Sequence, residues 1–452
     1  MTLTRRFLNL IVDSQIRGVR TLRRIDLTRQ QFFNPGPPPP LHGNGSAAAA
    51  ASEASESTME RIRLPRPIVT LRASAHDGRW AIQCFPLGEN KVLCADQSGR
   101  TFLFDADTRH VVTMPSLHKP KDTPFSIFIP SASDDSNSDG FEDDDDDDVG
   151  TLFVMEGYPS MEPTSDDQSP NDQPSDEFEA YVYGKRKLAH FKSWKCQPLP
   201  PPPYVRDPTW MKFRPQITTY AVVGGGAQIL ISAESAGTYC MDTATHKWSQ
   251  VGRWMLPLHG KIEYVPELDL WFGFSAKDQL SAVDLSNLDS RPRLVGTWKE
   301  FERPEDWQEL QEPQFVSLGS GKFCIARFFH TTVTAGYYRD EVTNRSFGVL
   351  TGVEVLPHVY ERNGNGSHHG SNGNDSDHGS NGNGRDNGSN GNNGSNGNST
   401  SICNGGNGHG NGNGGGGNGH GNGNGGKRKL RMIKHKSRCH VSANGTLIES
   451  VF

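Results

Sequence analysis

The first stretch of this chain that could do chemistry is a run of three glycines, Gly224-Gly225-Gly226, within VVGGGAQILISAES. Glycines that bare their backbone N–H groups cradle phosphates when a strand precedes them and a helix N-terminus follows, often with Lys and Ser/Thr. Here AQILISAES follows, which is rich in strand formers and ends in turn residues, and no G-K-[ST] occurs anywhere. The trio therefore reads as a structural turn. Metal chemistry has as little support. His368, His369, His378, His409 and His420 lie in an Asn/Gly tract without a scaffold. His110, His118, His190, His246, His259 and His330 are singletons that lack ligand spacing. No G-x-S-x-G elbow is present, and no cysteine sits in a recognised reactive context. The expectation is no catalytic, cofactor or metal site, and no enzyme.

Charge offers more. The net charge of -6 averages an acidic block, EDDDDDD at 142–148, and a basic run, KRKLRMIKHKSR from Lys427 to Arg438. Lys427, Arg428, Lys429, Arg431, Lys434 and Lys436 form a candidate nuclear-import signal or phosphate-contacting patch. The competing reading is a solvent-facing strand with Leu430, Met432 and Ile433 partly buried. No aromatic residue interleaves the run, so nucleic-acid stacking has no support. Seven dispersed cysteines without a C-x-x-C pair read as reduced and buried, in an intracellular protein. No stretch approaches the ~18 apolar residues of a membrane span. Seven arginines against two acids in residues 1–30 suit a mitochondrial presequence, but RFLNLIVD and VRTLRRIDL read better as a β-hairpin. The expected location is cytoplasmic or nuclear, with mitochondrial as the alternative.

The elements that must position these residues are strands. Low-complexity segments interrupt them: a Pro/Ala-rich linker at 34–58, an acidic insert at 131–149, a polar insert at 163–177 and an Asn/Gly-rich tract at 363–426, all expected to be disordered. The remaining ~320 residues are short alternating or β-branched runs between Gly, Asp, Asn and Pro turns. One short helix is expected, at RPEDWQELQE (303–312).

Internal similarity organises the strands. GRTFLFDADTRHVVTMP and GTYCMDTATHKWSQVG share D-x-x-T-x-x-apolar, with Asp105 and Thr108 in one and Asp242, Thr245 and Trp248 in the other. An Asp at a strand end accepts backbone N–H bonds in the turn, and Thr closes it. Asp284 follows Asp242 by ~42 residues, an interval that fits a propeller blade of roughly 40–50. Each unit is a small antiparallel meander that buries its faces only against its neighbours, the β-propeller solution. Five units read clearly and the patterned length predicts six or seven blades. The expected domain is all-β: N-terminal strands in 1–33, blades over 59–362, and closing strands in 427–452 that pair with the N-terminus.

Gly224-Gly225, Tyr239 and Trp248 in successive strands are similar to a kelch repeat. The whole chain resembles a plant family, expanded in grasses, defined only as a domain of unknown function (DUF1668). The resemblance rests on RRFLNLIVD, TLRRIDLTR, KVLCADQSGRTFLFD, HVVTMPSLHKPK, PPPPYVRDP, GTYCMDTATHKWSQVG, GKIEYVPELDLWFG and FCIARFF. It implies a lineage and a kelch-like or F-box-associated propeller fold, with no activity attached, and no F-box-like helical segment is found. The functional expectation is a non-catalytic scaffold that binds another protein. The rivals are an enzyme whose site is assembled on the propeller's axial face and a nuclear regulatory protein using the basic run.

Overall fold

In a computed structural model, residues 3–14, 16–35, 59–73, 82–131, 150–161, 173–185, 192–210, 212–335, 341–357, 429–442 and 446–452 are described. They form β1 (Phe7–Asp13), β2 (Val19–Asp26), β3 (Glu60–Arg61) and β4 (Val69–Arg72), then β5 (Gln83–Leu87), β6 (Lys91–Ala95), β7 (Thr101–Asp105) and β8 (Val111–Met114). Next come β9 (Pro124–Ile129), β10 (Thr151–Glu156), β11 (Ser175–Lys185) and β12 (Lys192–Leu199), and β13 (Ile217–Val223), β14 (Gln228–Ala233), β15 (Gly237–Asp242) and β16 (Trp248–Gly252). The last are β17 (Leu258–Val265), β18 (Leu270–Ser275), β19 (Leu280–Val283), β20 (Leu294–Trp298), β21 (Gln308–Gly319), β22 (Lys322–Ala335), β23 (Glu341–Pro357), β24 (Leu430–Val441) and β25 (Leu447–Val451). Among the described residues there is no α-helix, only short 3-10 turns, and no helix long and apolar enough to cross a membrane.

The strands pair into six four-stranded antiparallel groups. The first is β25-β1-β2-β4, so it joins the two ends of the chain. The second to fifth are β5–β8, β9–β12, β13–β16 and β17–β20, and the sixth is β21–β24 with β3 added at its edge. The expected helix at 303–312 is a correction: residues 308–312 begin β21. Glu and Gln favour helix only weakly, and pairing with β22 overrides that preference. Likewise β11 starts at Ser175, so the end of the 163–177 segment lies inside a strand, where Ser175 and Glu177 are buried.

Burial follows position within a group. Second strands such as QILISA (β14) are buried along their whole length because neighbouring groups cover both faces, which explains their continuous apolar runs. Outermost strands such as VVTM (β8) and LVGTW (β20) are largely exposed. Each main core is shared by two consecutive groups. Leu93 and Leu103 of the second pack with Leu152 and Tyr181 of the third, Phe272 of the fifth with Phe323 of the sixth, and Phe328 of the sixth with Leu8 and Ile448 of the first. A β-propeller is the architecture in which radial meanders bury one another in this way.

Polar bonds stitch the same seams. Asn9 Nδ2 donates to Glu89 O (2.6 Å) and Gln83 Nε2 to Lys121 O (2.6 Å). Trp248 Nε1 donates to Pro200 O (2.9 Å) and Trp271 Nε1 to Val222 O (2.9 Å). Arg327 Nη2 donates to Asp278 O (2.5 Å), and Gln314 Nε2 to Glu449 O (2.9 Å). The repeat turns are alike in detail. Asp105 Oδ1 accepts from Thr108 N (2.9 Å) and Asp242 Oδ1 from Thr245 N (2.7 Å), and the next residues, Arg109 and His246, both take positive φ. Asp284 does the same work with Ser286 N (2.9 Å).

Candidate functional site

The first strands of all six groups line one cavity of about 810 Å³. Gln83 enters from β5, Phe125 from β9, Tyr220 from β13, Lys261 from β17, Gln314 from β21 and Glu449 from β25. Phe125 and Tyr220 stack with ring centroids 4.4 Å apart, an apolar wall on one side. Parallel pairing of Tyr220 with Lys261, between β13 and β17, sets the height of the charged residues.

Those residues are tied to one another. Lys261 pairs with Glu263, and Arg20 pairs with Glu449 while also donating to Ile82 O at 2.6 Å. The Glu263 carboxyl would be pushed up by burial, but the Lys261 charge and hydrogen bond, Arg5 and the Ser317 N–H hold it below the usual range. Glu449 goes the other way: burial and the nearby Asp13 raise it more than Arg20 lowers it. Burial, then Glu263 and Glu312, push the Tyr220 phenol up, so it stays protonated. Gln314 is committed to the backbone of β25, donating to Glu449 O (2.9 Å) and accepting from Val451 N (2.9 Å).

A second cluster lies between the second and third groups. Glu179 of β11 and Lys121 are both fully buried, with Nζ 2.5 Å from Oε1. The other oxygen, Oε2, accepts from His118 N (2.9 Å), lies 2.6 Å from His118 Nδ1 and takes the Cys196 thiol at 3.1 Å. His118, Glu179 and Cys196 place their ligand atoms within 4.8 Å of one another, so a divalent ion is worth testing. The fit is poor. A metal needs a thiolate, whereas burial and Glu179 push the Cys196 thiol far up. The Lys121 ammonium already supplies the positive charge, so the cluster is a hydrogen-bonded ion pair.

The sequence-derived residues are not gathered at either place. Asp105, Thr108, Asp242, Thr245 and Asp284 stand in separate turns after the third strands of their groups. Gly224–Gly226 form the turn between β13 and β14 with φ of 60°, 64° and 103°, Gly224 and Gly225 exposed and Gly226 half-buried. Tyr239 is buried on β15, and its hydroxyl donates to Ala236 O at 3.2 Å. Lys427 and Arg428 lie outside the described residues. Lys429 precedes β24, which carries Arg431, Lys434 and Lys436, and Lys434 is exposed above the Phe301 ring (5.8 Å). The sequence reading missed Lys121, Glu179 and the cavity, because they meet across distances of 58 residues or more and leave no spacing signal.

The family described as "Protein of unknown function (DUF1668)" matches residues 5–374. No curated protein matches the chain. Among solved structures, the chain is similar to the Cps50 (Swd1) beta-propeller domain of Myceliophteria thermophila, at 8% identity over 77% of this chain and 90% of that one, with a TM-score of 0.31. It is similar to Hsv2 of Kluyvelomyces marxianus at 6% identity over 76% and 83%, with a TM-score of 0.29. A protein of unknown function from Bacteroides thetaiotaomicron shows 11% identity and a TM-score of 0.28, over 57% of this chain and a little over half, 56%, of its own length. These likenesses add nothing to the fold assignment, which rests on strand order and shared cores.

Proposed function

The chain belongs to the DUF1668 family, and from that premise, in which no activity is assigned, we propose that it is a non-catalytic protein-interaction scaffold. In this reading the six groups are the blades of one closed, kelch-like propeller, with β25 completing the first. The pair Gly224-Gly225, Tyr239 and Trp248, placed in the first turn, third strand and fourth strand of one group, supports the kelch-like assignment. The observation that carries the scaffold reading is the fate of the ionisable groups around the cavity. Arg20 with Glu449 and Lys261 with Glu263 neutralise each other at the place where propellers assemble active sites. Affinity purification of the tagged chain with quantitative mass spectrometry tests it: a reproducible set of co-purifying proteins is expected, and its absence over replicate preparations refutes the scaffold.

One observation favours the enzyme reading. Glu263 and Glu449 face the same cavity with their pKa values pushed in opposite directions, the arrangement of an acid–base pair. Comparing metabolite turnover by the wild type and Glu449→Gln in a cell extract separates the two readings. A substrate consumed by the wild type alone selects the enzyme. An intracellular location, with nuclear entry through the run Lys427–Lys436, completes the proposal.

A further inference from the structure

The extended segment 59–73 crosses the outside of the sixth and first groups, and it presents arginine outward. Ile62 and Leu71 are buried, Leu64 packs on the core shared by the sixth and first groups, and Ile68 and Val69 on that shared by the first and second. Backbone bonds pin the same segment: Ile62 N to Cys439 O, Ile68 N to Leu22 O and Ala73 N to Gly18 O, each at 2.9 Å. Arg23 Nη1 adds a bond to Pro65 O at 2.8 Å. Between these anchors Arg61, Arg63, Arg66 and Arg72 are exposed, with exposed Arg17 in the adjoining turn. Arg17, Arg63, Arg66 and Arg72 make no ion pair among the described residues. The one acid of the segment, Glu60, is taken by Arg438 at 2.7 Å. The outermost strands β8, β16 and β20 carry no charged residue, whereas β12 carries Lys192 and Lys195, and β24, beside the strap, carries Arg431, Lys434 and Lys436. Guanidinium groups carried on a pinned backbone can bind carboxylates bidentately.

We propose that the strap docks the acidic run Glu142–Asp148 of a second copy of the chain. Charge is complementary: the run Glu142–Asp148 is wholly acidic, and the strap presents exposed Arg63, Arg66 and Arg72. Topology keeps the last carboxylates of the run from making the same contact within one copy. The run joins the first and second strands of the third group, between Ile129 and Gly150, whereas Arg72 lies beside the turn between the second and third strands of the first. In antiparallel groups those turns fall at opposite ends. Asp146–Asp148 are four residues or fewer from Gly150, a reach of at most ~14 Å, too short to cross to the far end and out to the rim. Segment 59–73 contains no aromatic residue, so it offers nothing on which a nucleic-acid base would stack. Because strap and run are different surfaces, the contact is head to tail, and each copy keeps one unused half that can add another.

Sedimentation velocity of the full chain at ~20 mM and ~500 mM salt tests this, since exposed charge contacts are screened at the higher value. Concentration-dependent association that extends beyond a dimer is expected at low salt only. It disappears in the Arg63→Glu/Arg66→Glu/Arg72→Glu variant and, independently, when Asp143–Asp148 are all replaced by Asn. A labelled peptide of residues 139–149 should bind the Asn-substituted chain, and the arginine reversal should weaken it at least about tenfold. A monomeric wild type at low salt, or peptide binding indifferent to the reversal, overturns the proposal. Tighter binding of a DNA duplex than of the peptide overturns the choice of occupant. None of these readouts depends on the scaffold's other partners.

Discussion

Replacing Glu179 by glutamine tests whether the third group is locked by its buried charge pair or by apolar packing alone. In the native chain the Lys121 ammonium is fully buried, with Glu179 Oε1 at 2.5 Å, Lys119 O at 2.6 Å and Asp176 O at 2.8 Å. Glutamine keeps the side-chain shape and an amide oxygen that can accept from Lys121 Nζ, but it leaves the ammonium with carbonyl acceptors only and no counter-charge. Removing one partner of a buried pair costs about 3–5 kcal/mol, and the retained carbonyl bonds place this variant near the lower end, ~3 kcal/mol. At ~2 °C per kcal/mol for a domain of this size, the melting temperature should fall by roughly 6 °C. The Lys121→Met/Glu179→Gln double variant removes both charges and should recover most of the loss, because no charge is left stranded. Circular-dichroism melts measure both, and the difference should barely change with salt because the pair is buried. Its pH dependence has a definite sign. Burial would raise the Glu179 pKa, but Lys121 and the His118 bonds hold it below the usual range. A depressed carboxyl contributes its stability above the unfolded value of ~4.3 and loses it as pH falls through the lower folded value. Wild type and Glu179→Gln should therefore converge in that acid window. A loss below ~1 kcal/mol, or a double variant no better than the single, refutes the reasoning.

Two glycine substitutions should separate conformational strain from steric conflict. Gly225→Ala, at φ 64° with open space around the new Cβ, should cost about 1 kcal/mol. Gly237→Ala, at φ 108° with its Cβ 2.4 Å from Gly252 O, should cost about 3 kcal/mol in the same melts. Gln314→Leu leaves Val451 N–H without its bond across the sixth-to-first seam, at about 1–3 kcal/mol, while Glu449 C=O keeps its bond from Gln311 Nε2 at 3.0 Å. Hydrogen exchange at 447–451 should accelerate at least tenfold while exchange in β14 stays unchanged. For the import reading, replacing Lys427, Arg428, Lys429, Arg431, Lys434 and Lys436 by Gln in a fluorescent fusion should exclude it from nuclei, and unaltered nuclear signal removes that role. Deleting the run instead would remove the first half of β24 and confound import with folding.

What the sequence revealed and what it hid divide along chain distance. Asp105, Asp242 and their neighbouring threonines announced their turns because an Asp-capped turn is a local structure of four residues. The glycine trio could be stripped of a phosphate role for the same reason, since the residues just after it are legible as a strand. The first group was legible only as a pairing of the two ends, because it is assembled from both: β25 pairs β1, whereas β24, also expected to pair with the N-terminal strands, pairs β23. Glu179 and Lys121 escaped for a different reason. They meet only when β11 is laid beside the link that enters β9, and a buried Lys looks in sequence like any surface Lys. The error at 303–312 came from composition: Glu and Gln at this position serve edge pairing and the Gln311 and Gln314 bonds to β25, not a helix.

The positions of the low-complexity segments result from the same packing. Three fall in a turn inside a group, 131–149 between β9 and β10, the start of 163–177 between β10 and β11, and 363–426 between β23 and β24, while 34–58 lies between β2 of the first group and β3 at the edge of the sixth. Such a turn closes a hairpin at the rim of the sheet, and lengthening it costs only loop-closure entropy, which grows slowly with length. The links from one group to the next are built differently. That into β9 carries buried Leu117 and Lys121, that into β13 carries Tyr204, Val205 and Arg206, and that into β21 carries Glu300, Phe301 and Trp307. These buried side chains anchor the links, with Glu300 2.5 Å from Arg327 and Trp307 stacked on Phe347 of the sixth group at 4.7 Å. Extra residues there would withdraw a buried side chain from its seam, at a cost of kilocalories rather than tenths. A chain that tolerates dozens of Asn and Gly residues in one turn is thus compatible with a rigid body. The tolerance belongs to the hairpin turns, and the rigidity to the links that plug one group into the next.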